Sequence, residues 1–236
     1  MRYLYANFFG MEFRPTGFNI LPLVIKNLLI VNGLVFFAQF TFERMGSPWM
    51  ENTFALHDIH SDFFRPHQLV THLFMHGSLG HIFFNMFALW MFGSALENVW
   101  GAKRFLLFYI LCGLGAAALH LATLYFEYKP YWESYHFLSA GDQAFLHYNY
   151  TVGASGAVFG CLAAFGYLFP NSLIYIYFFV PIKAKWFVLL YAGMELWLGV
   201  RNSAGDNVAH WAHLGGALVG FLLVLYWNRT NRKRFY

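Results

Sequence analysis

The sequence predicts an all-α membrane protein: one domain, a bundle of six transmembrane helices with an interfacial first external loop. Three observations carry this. Of the 236 residues, 59% are hydrophobic and 22% aromatic, and only 11% are charged, against roughly 25% for a soluble domain. Apolar runs near the roughly 20 residues that cross a hydrocarbon core recur along the chain. The basic residues then fall unevenly on the two sides that those runs would separate.

The spans are read at about 20–41, 79–98, 104–126, 153–170, 186–200 and 209–227. The first begins about twenty residues in, is too long for the h-region of a secretory signal and is followed by no small-x-small cleavage site, so it is expected to remain a membrane helix. Neither end carries a lipidation motif. The loop over residues 42–78 contains "SDFFRPHQLVTHLFMHGSLG", too rich in apolar and aromatic residues for a solvated linker, and is expected to lie in the membrane interface as short helices. The segment "SLIYIYFFVPIKAKW" is cut by Pro181, which suits a helix interior poorly. It is expected to form a hairpin or short connection; a seventh span there would put the basic tail on the wrong side.

With the N-terminus on the cytoplasmic side, that side holds eleven of the fifteen Lys and Arg residues, and the other holds only Arg44, Arg65, Lys129 and Arg201. The imbalance places both termini in the cytoplasm. The formal charge of +4 is thus an orientation signal, and the tail over 228–236 sits where anionic headgroups of the lipid bilayer attract it. Basic residues scattered over several loops make no nucleic-acid patch. A bacterial inner membrane is the expected location. Cys112 and Cys161 both fall inside spans and imply packing, not a disulfide framework.

Polar residues inside the spans carry the functional reading, since such groups are costly in hydrocarbon and usually face the bundle interior. Span two opens with His81 and Asn85, span four with Ser155, and span six with His210 and His213. All lie near the external ends of helices running inward, within about one or two turns of one boundary. His81 and Asn85 are four apart and share a helix face, where their N–H groups suit an oxyanion. Ser155 and His213 suit a nucleophile and its base if spans four and six touch. Small residues permit that contact, with Gly156, Gly160 and Ala164 on one helix and Ala212, Gly216 and Gly220 on the other.

The strings "HLFMHGSLGHIFFNMFALWMFG", "ENVWGAKRFLLFYILCG", "VGASGAVFG" and "AHWAHLGGALVG" resemble the rhomboid intramembrane serine proteases, in the same order and on the same spans, over about residues 65–226. The resemblance implies a rhomboid-like fold and a serine endopeptidase that cuts membrane proteins in or near their transmembrane segments, with a small residue before the cut. It assigns Ser155 as nucleophile and His213 as base, a dyad with no acidic third member, and His81 and Asn85 as the oxyanion pair, helped by the Ser155 backbone N–H. His76 shapes the site and its loop, and Phe159, Gly153, Gly156 and Gly216 are structural residues around it. Two departures stand out. Phe159 replaces the Tyr frequent in the family, which keeps ring stacking and loses the hydroxyl. The Trp-Arg pair of many first loops is missing, with His67 and Gln68 near its place.

No cofactor or metal is expected. His72, His76, His81, His210 and His213 offer imidazoles, but the sequence has no H-E-x-x-H and no carboxylate tied to them. Glu195 and Glu97 read as structural residues, His120 as packed and hydrogen-bonded, and Asp142 and Asp206 as solvated loop residues. A transporter would need polar groups through the whole membrane rather than toward one face. A non-catalytic relative that escorts membrane proteins is the alternative; it would be expected to lack part of the dyad.

Overall fold

The structure is a computed structural model that describes residues 17–176, 179–201 and 208–230. Among these, α1 (Leu23–Arg44) leads into an outer loop built from α2 (Trp49–Phe54), β1 (Leu56–His57) and α3 (Gln68–Thr71). The next crossing consists of α4 (Leu79–Ala88), a π-helical turn (Leu89–Gly93) and α5 (Ser94–Trp100). Then come α6 (Ala102–Glu133), α7 (Ala140–Tyr148), β2 (Tyr150–Thr151) and α8 (Ser155–Leu168). The chain continues through β3 (Leu173–Ile176), β4 (Val180–Lys183), α9 (Ala184–Arg201) and α10 (His210–Thr230). The fold is an all-α membrane bundle.

Among the described residues, four stretches are long and apolar enough to cross a bilayer: Leu23–Arg44, Leu79–Trp100, Ala102–Glu133 and His210–Arg229. The third outruns the expected 104–126 because its outer end continues through Pro130 into the interface. The fourth expected span, 153–170, is only 14 helical residues long, about 21 Å at 1.5 Å per residue. That is about 9 Å short of a typical ~30 Å core, so α8 by itself is too short to cross one. Pro181 lies in an antiparallel hairpin that pairs Tyr175 with Pro181 and Ile174 with Ile182, so no helix continues through it.

Helix packing in lipid depends on close backbone approach rather than on escape from water. The α8 and α10 ridges meet accordingly. A Cβ added to Gly216 would run into the Gly156 carbonyl, and one added to Gly220 would lie 2.7 Å from the Gly160 carbonyl oxygen. On the other flank, Gly160 faces the buried Cys112 of α6, and Gly215 faces the Gly115 carbonyl. This three-helix contact brings the first turns of α8 and α10 side by side.

Glu97, expected to be structural, holds the far end of the bundle. Pro22 precedes α1 and offers no capping side chain, so the orphan amides of the first turn need an acceptor from elsewhere. The buried Glu97 carboxylate supplies both oxygens, accepting from Val24 N and Ile25 N at 2.9 Å each. Glu97→Ala is expected to lower stability by about 2–3 kcal/mol through the loss of charge-assisted bonds at a helix N-terminus, measured by thermal unfolding in detergent. Arg104 lies over the Trp227 ring at 4.1 Å, and Asn228 donates to the Tyr167 hydroxyl at this same end.

The outer loop is held by Gln68, at the place of the missing Trp-Arg pair. Its fully buried amide donates to the Phe63 carbonyl at 2.8 Å and accepts from His57 N at 3.4 Å. The neighbouring strand β1 pairs Leu56 with Thr151 and His57 with Tyr150, which ties the loop to the segment that leads into α8.

Candidate active site

Ser155 is the first residue of α8, and His213 lies in the first turn of α10. The Ser155 hydroxyl and His213 Nε2 are 2.8 Å apart. Phe159, one turn further along α8, stacks on the His213 ring with centroids 4.3 Å apart and planes within 7°. That contact fixes the plane of the imidazole without needing a phenol. Tyr191 of α9 also packs on Phe159, with ring centroids 4.9 Å apart.

The far edge of the imidazole meets a residue that sequence reasoning set aside. Glu195 Oε2 lies 2.9 Å from His213 Nδ1 and 2.7 Å from His210 Nδ1, and all three residues are buried. An ionised carboxylate can only accept, so both imidazoles donate from Nδ1. His213 is then left with a lone pair on Nε2, directed at the Ser155 hydroxyl. The expectation that no carboxylate lies near the Ser155–His213 pair is corrected in geometry: Glu195 reaches both imidazoles of α10. One cue was available, since a Glu inside an apolar span demands a partner, but the partner is not named by sequence.

Across from this row, α4 brings its own polar pair. Ser78 caps the helix by accepting from His81 N at 3.1 Å, and Gly77 N donates to His81 Nδ1 at 3.3 Å. Accepting at Nδ1 leaves the proton of the neutral ring on Nε2. That nitrogen lies 2.8 Å from where a Gly153 Cβ would be, and Ser155 Oγ lies 3.5 Å from the same point. Asn85 is buried one turn below, and its Nδ2 has no hydrogen-bond partner. The first intrahelical bond of α8 runs from Val158 N to Ala154 O, so the Ser155 backbone N–H stands ahead of the ladder, as first-turn amides do.

Gly153 is constrained twice, by a φ of +135° and by the His81 ring. Its amide donates to the His72 carbonyl at 2.9 Å. Gly153→Ala should force a backbone conformation costly for an L residue and push His81 aside. Turnover is expected to fall on the order of 10²-fold, the usual cost of about 1 Å of misplacement, read as kcat on a transmembrane reporter. His76 meets His81 edge-on at 5.1 Å. Burial first, then the nearby His81, pushes the His76 pKa down to about 3, so it stays neutral and adds no charge beside the site. His120 bonds the Thr151 hydroxyl at 2.7 Å, a packed role. Asp206 lies outside the described residues, as do most of the basic tail residues.

A Rhomboid domain family model matches residues 64–229, well over half of the chain. The chain belongs to the rhomboid family. Its rhomboid relatives include RHOMBOID-like protein 12, mitochondrial, of Arabidopsis thaliana, 29% identical over 90% of this chain and 60% of that protein. Rhomboid protease AarA of Providencia stuartii is 28% identical over 68% of the chain and 56% of its own length. Rhomboid protease GluP of Bacillus subtilis is 29% identical over 65% of the chain and 24% of its own. The chain therefore spans about 60% or less of these rhomboid relatives. Mitochondrial names stand beside bacterial ones, so the comparisons support a multi-pass membrane protein without favouring the bacterial inner membrane.

Proposed function

We propose that this rhomboid is an intramembrane serine endopeptidase that hydrolyses peptide bonds of transmembrane protein substrates. The single observation that carries the reading is the 2.8 Å contact between Ser155 Oγ and His213 Nε2, set at the start of the short α8. His213 Nε2 takes the hydroxyl proton as Ser155 Oγ attacks the scissile carbonyl carbon. The oxyanion is held by His81 Nε2–H, Asn85 Nδ2–H and the Ser155 backbone N–H. Protonated His213 then gives its proton to the leaving amine, and water releases the acyl group by the same steps in reverse. Glu195 keeps the Nδ1–H tautomer and stabilises the imidazolium while it lasts.

A substrate helix hides its carbonyls in its own hydrogen bonds, so it must unwind locally before attack. A small residue before the cut fits a site bounded by Gly153 and the His81 ring. We take α9 as the side of entry. Among its described residues only Ala184 and Glu195 are buried, and Leu189, Leu190 and Trp197 each remain more than 60% exposed. The site lies at the end opposite Arg104 and Arg229, so with the basic loops in the cytoplasm it opens to the other face. Reconstituting the chain in vesicles with a transmembrane reporter tests this. Cleavage within or beside the reporter's membrane segment, with Ser155 labelled by a fluorophosphonate, is expected; soluble peptide hydrolysis without label on Ser155 would refute it.

A further inference from the structure

We propose that Glu195, His210 and His213 form a binding site for a divalent transition ion of the Zn²⁺ class, and that an ion bound there switches off the Ser155–His213 pair. The three donor atoms, two imidazole nitrogens and one carboxylate oxygen, lie within 4.8 Å of one another, and all three residues are buried. His210 and His213 are three apart, so α10 presents both on one face. Glu195 reaches them from α9.

The donor set, two His and one Glu, is one that zinc sites with three protein ligands use, with the fourth position left for water. Zinc distances of about 2.0–2.2 Å in a tetrahedral arrangement ask the carboxylate to open from its present 2.7 and 2.9 Å by about half an ångström. Side-chain rotation supplies that. Neutral imidazole nitrogens suit Zn²⁺, whereas Mg²⁺ prefers an all-oxygen shell.

The effect on chemistry follows from one proton. At rest His213 carries its proton on Nδ1 and accepts from Ser155 at Nε2. An ion on Nδ1 displaces that proton, and the neutral ring then keeps it on Nε2. There it donates toward Ser155 and can no longer take the hydroxyl proton. No oxidant, net charge change on the ring or bond to Ser155 is involved. The binding half of this inference stands apart from the proposed function; the inhibition half rests on it.

The experiment uses the full chain, purified in detergent and stripped with a chelator. Zn²⁺ is titrated against fluorophosphonate labelling of Ser155, with Mg²⁺ as a parallel arm. Inhibition by Zn²⁺ alone is expected, with the half-inhibiting concentration raised at least about tenfold in His210→Gln, as loss of a coordinating group demands. In a second arm, Co²⁺ added to Ser155→Ala is read by the absorption of a tetrahedral site, expected to disappear in Ser155→Ala combined with His210→Gln or with Glu195→Gln. This arm needs no catalysis, so it reads the site even if labelling fails. Equal Zn²⁺ sensitivity of wild type and His210→Gln, or a Co²⁺ spectrum absent from Ser155→Ala, overturns the proposal. So does activity that the chelator abolishes and Zn²⁺ restores, which would make the ion a catalyst.

Discussion

Ser155→Ala is expected to remove both fluorophosphonate labelling and cleavage of a transmembrane reporter, with turnover down on the order of 10⁴-fold or more. Stability should change by no more than about 1 kcal/mol, because the substitution deletes a single hydrogen bond and leaves the α8–α10 backbone contact intact. His213→Ala should lose as much activity as Ser155→Ala. The double variant should be no worse than either single one, since a nucleophile and its base act as a unit. Rates of all three in vesicles, beside melting curves in detergent, provide the check. Wild-type cleavage by Ser155→Ala would end the assignment.

Glu195→Gln is the second large effect. The amide keeps the shape of the carboxylate and loses its charge, and it presents an N–H₂ group where an acceptor stood. Its carbonyl can still accept from one imidazole, yet in the proposed mechanism nothing then offsets the positive charge that His213 would acquire on taking the Ser155 proton. Loss of the comparable carboxylate in other serine hydrolases costs about 10⁴-fold in kcat. Here about 10²- to 10⁴-fold is expected, because Phe159 still holds the ring plane by stacking at 4.3 Å. Glu195 lies behind His213 and away from Ser155, so KM should stay within about twofold. Glu195→Asp should recover part of kcat. An unchanged kcat in Glu195→Gln would restore the two-residue mechanism.

How much of this was legible without coordinates varies from residue to residue. Ser155, His213, His81 and Asn85 stood out because polar groups at the starts of apolar helices are few and costly. The Gly156 and Gly216 ridges indicated which helices could touch. Gln68 was visible only as a departure from a motif, and its role needed the folded loop, where one amide reaches carbonyls five and more residues away. Phe159 posed a question about a missing hydroxyl, and the parallel stacking on His213 provides a ring contact that needs none.

The all-α membrane class, the order of the apolar runs and the clustering of polar residues at their outer ends were determined by the sequence alone, because hydropathy and the 1.5 Å rise are one-dimensional quantities. The length of α8 was not, since Gly153 and Ala154 are apolar enough to count as span yet adopt no helix. Nor was the place of Glu195. A residue on a nearly uniform apolar helix has no hydropathy pattern to say which neighbour it faces. Only the packing of α9 against α10 turned that carboxylate toward two imidazoles, 15 and 18 residues further along the chain.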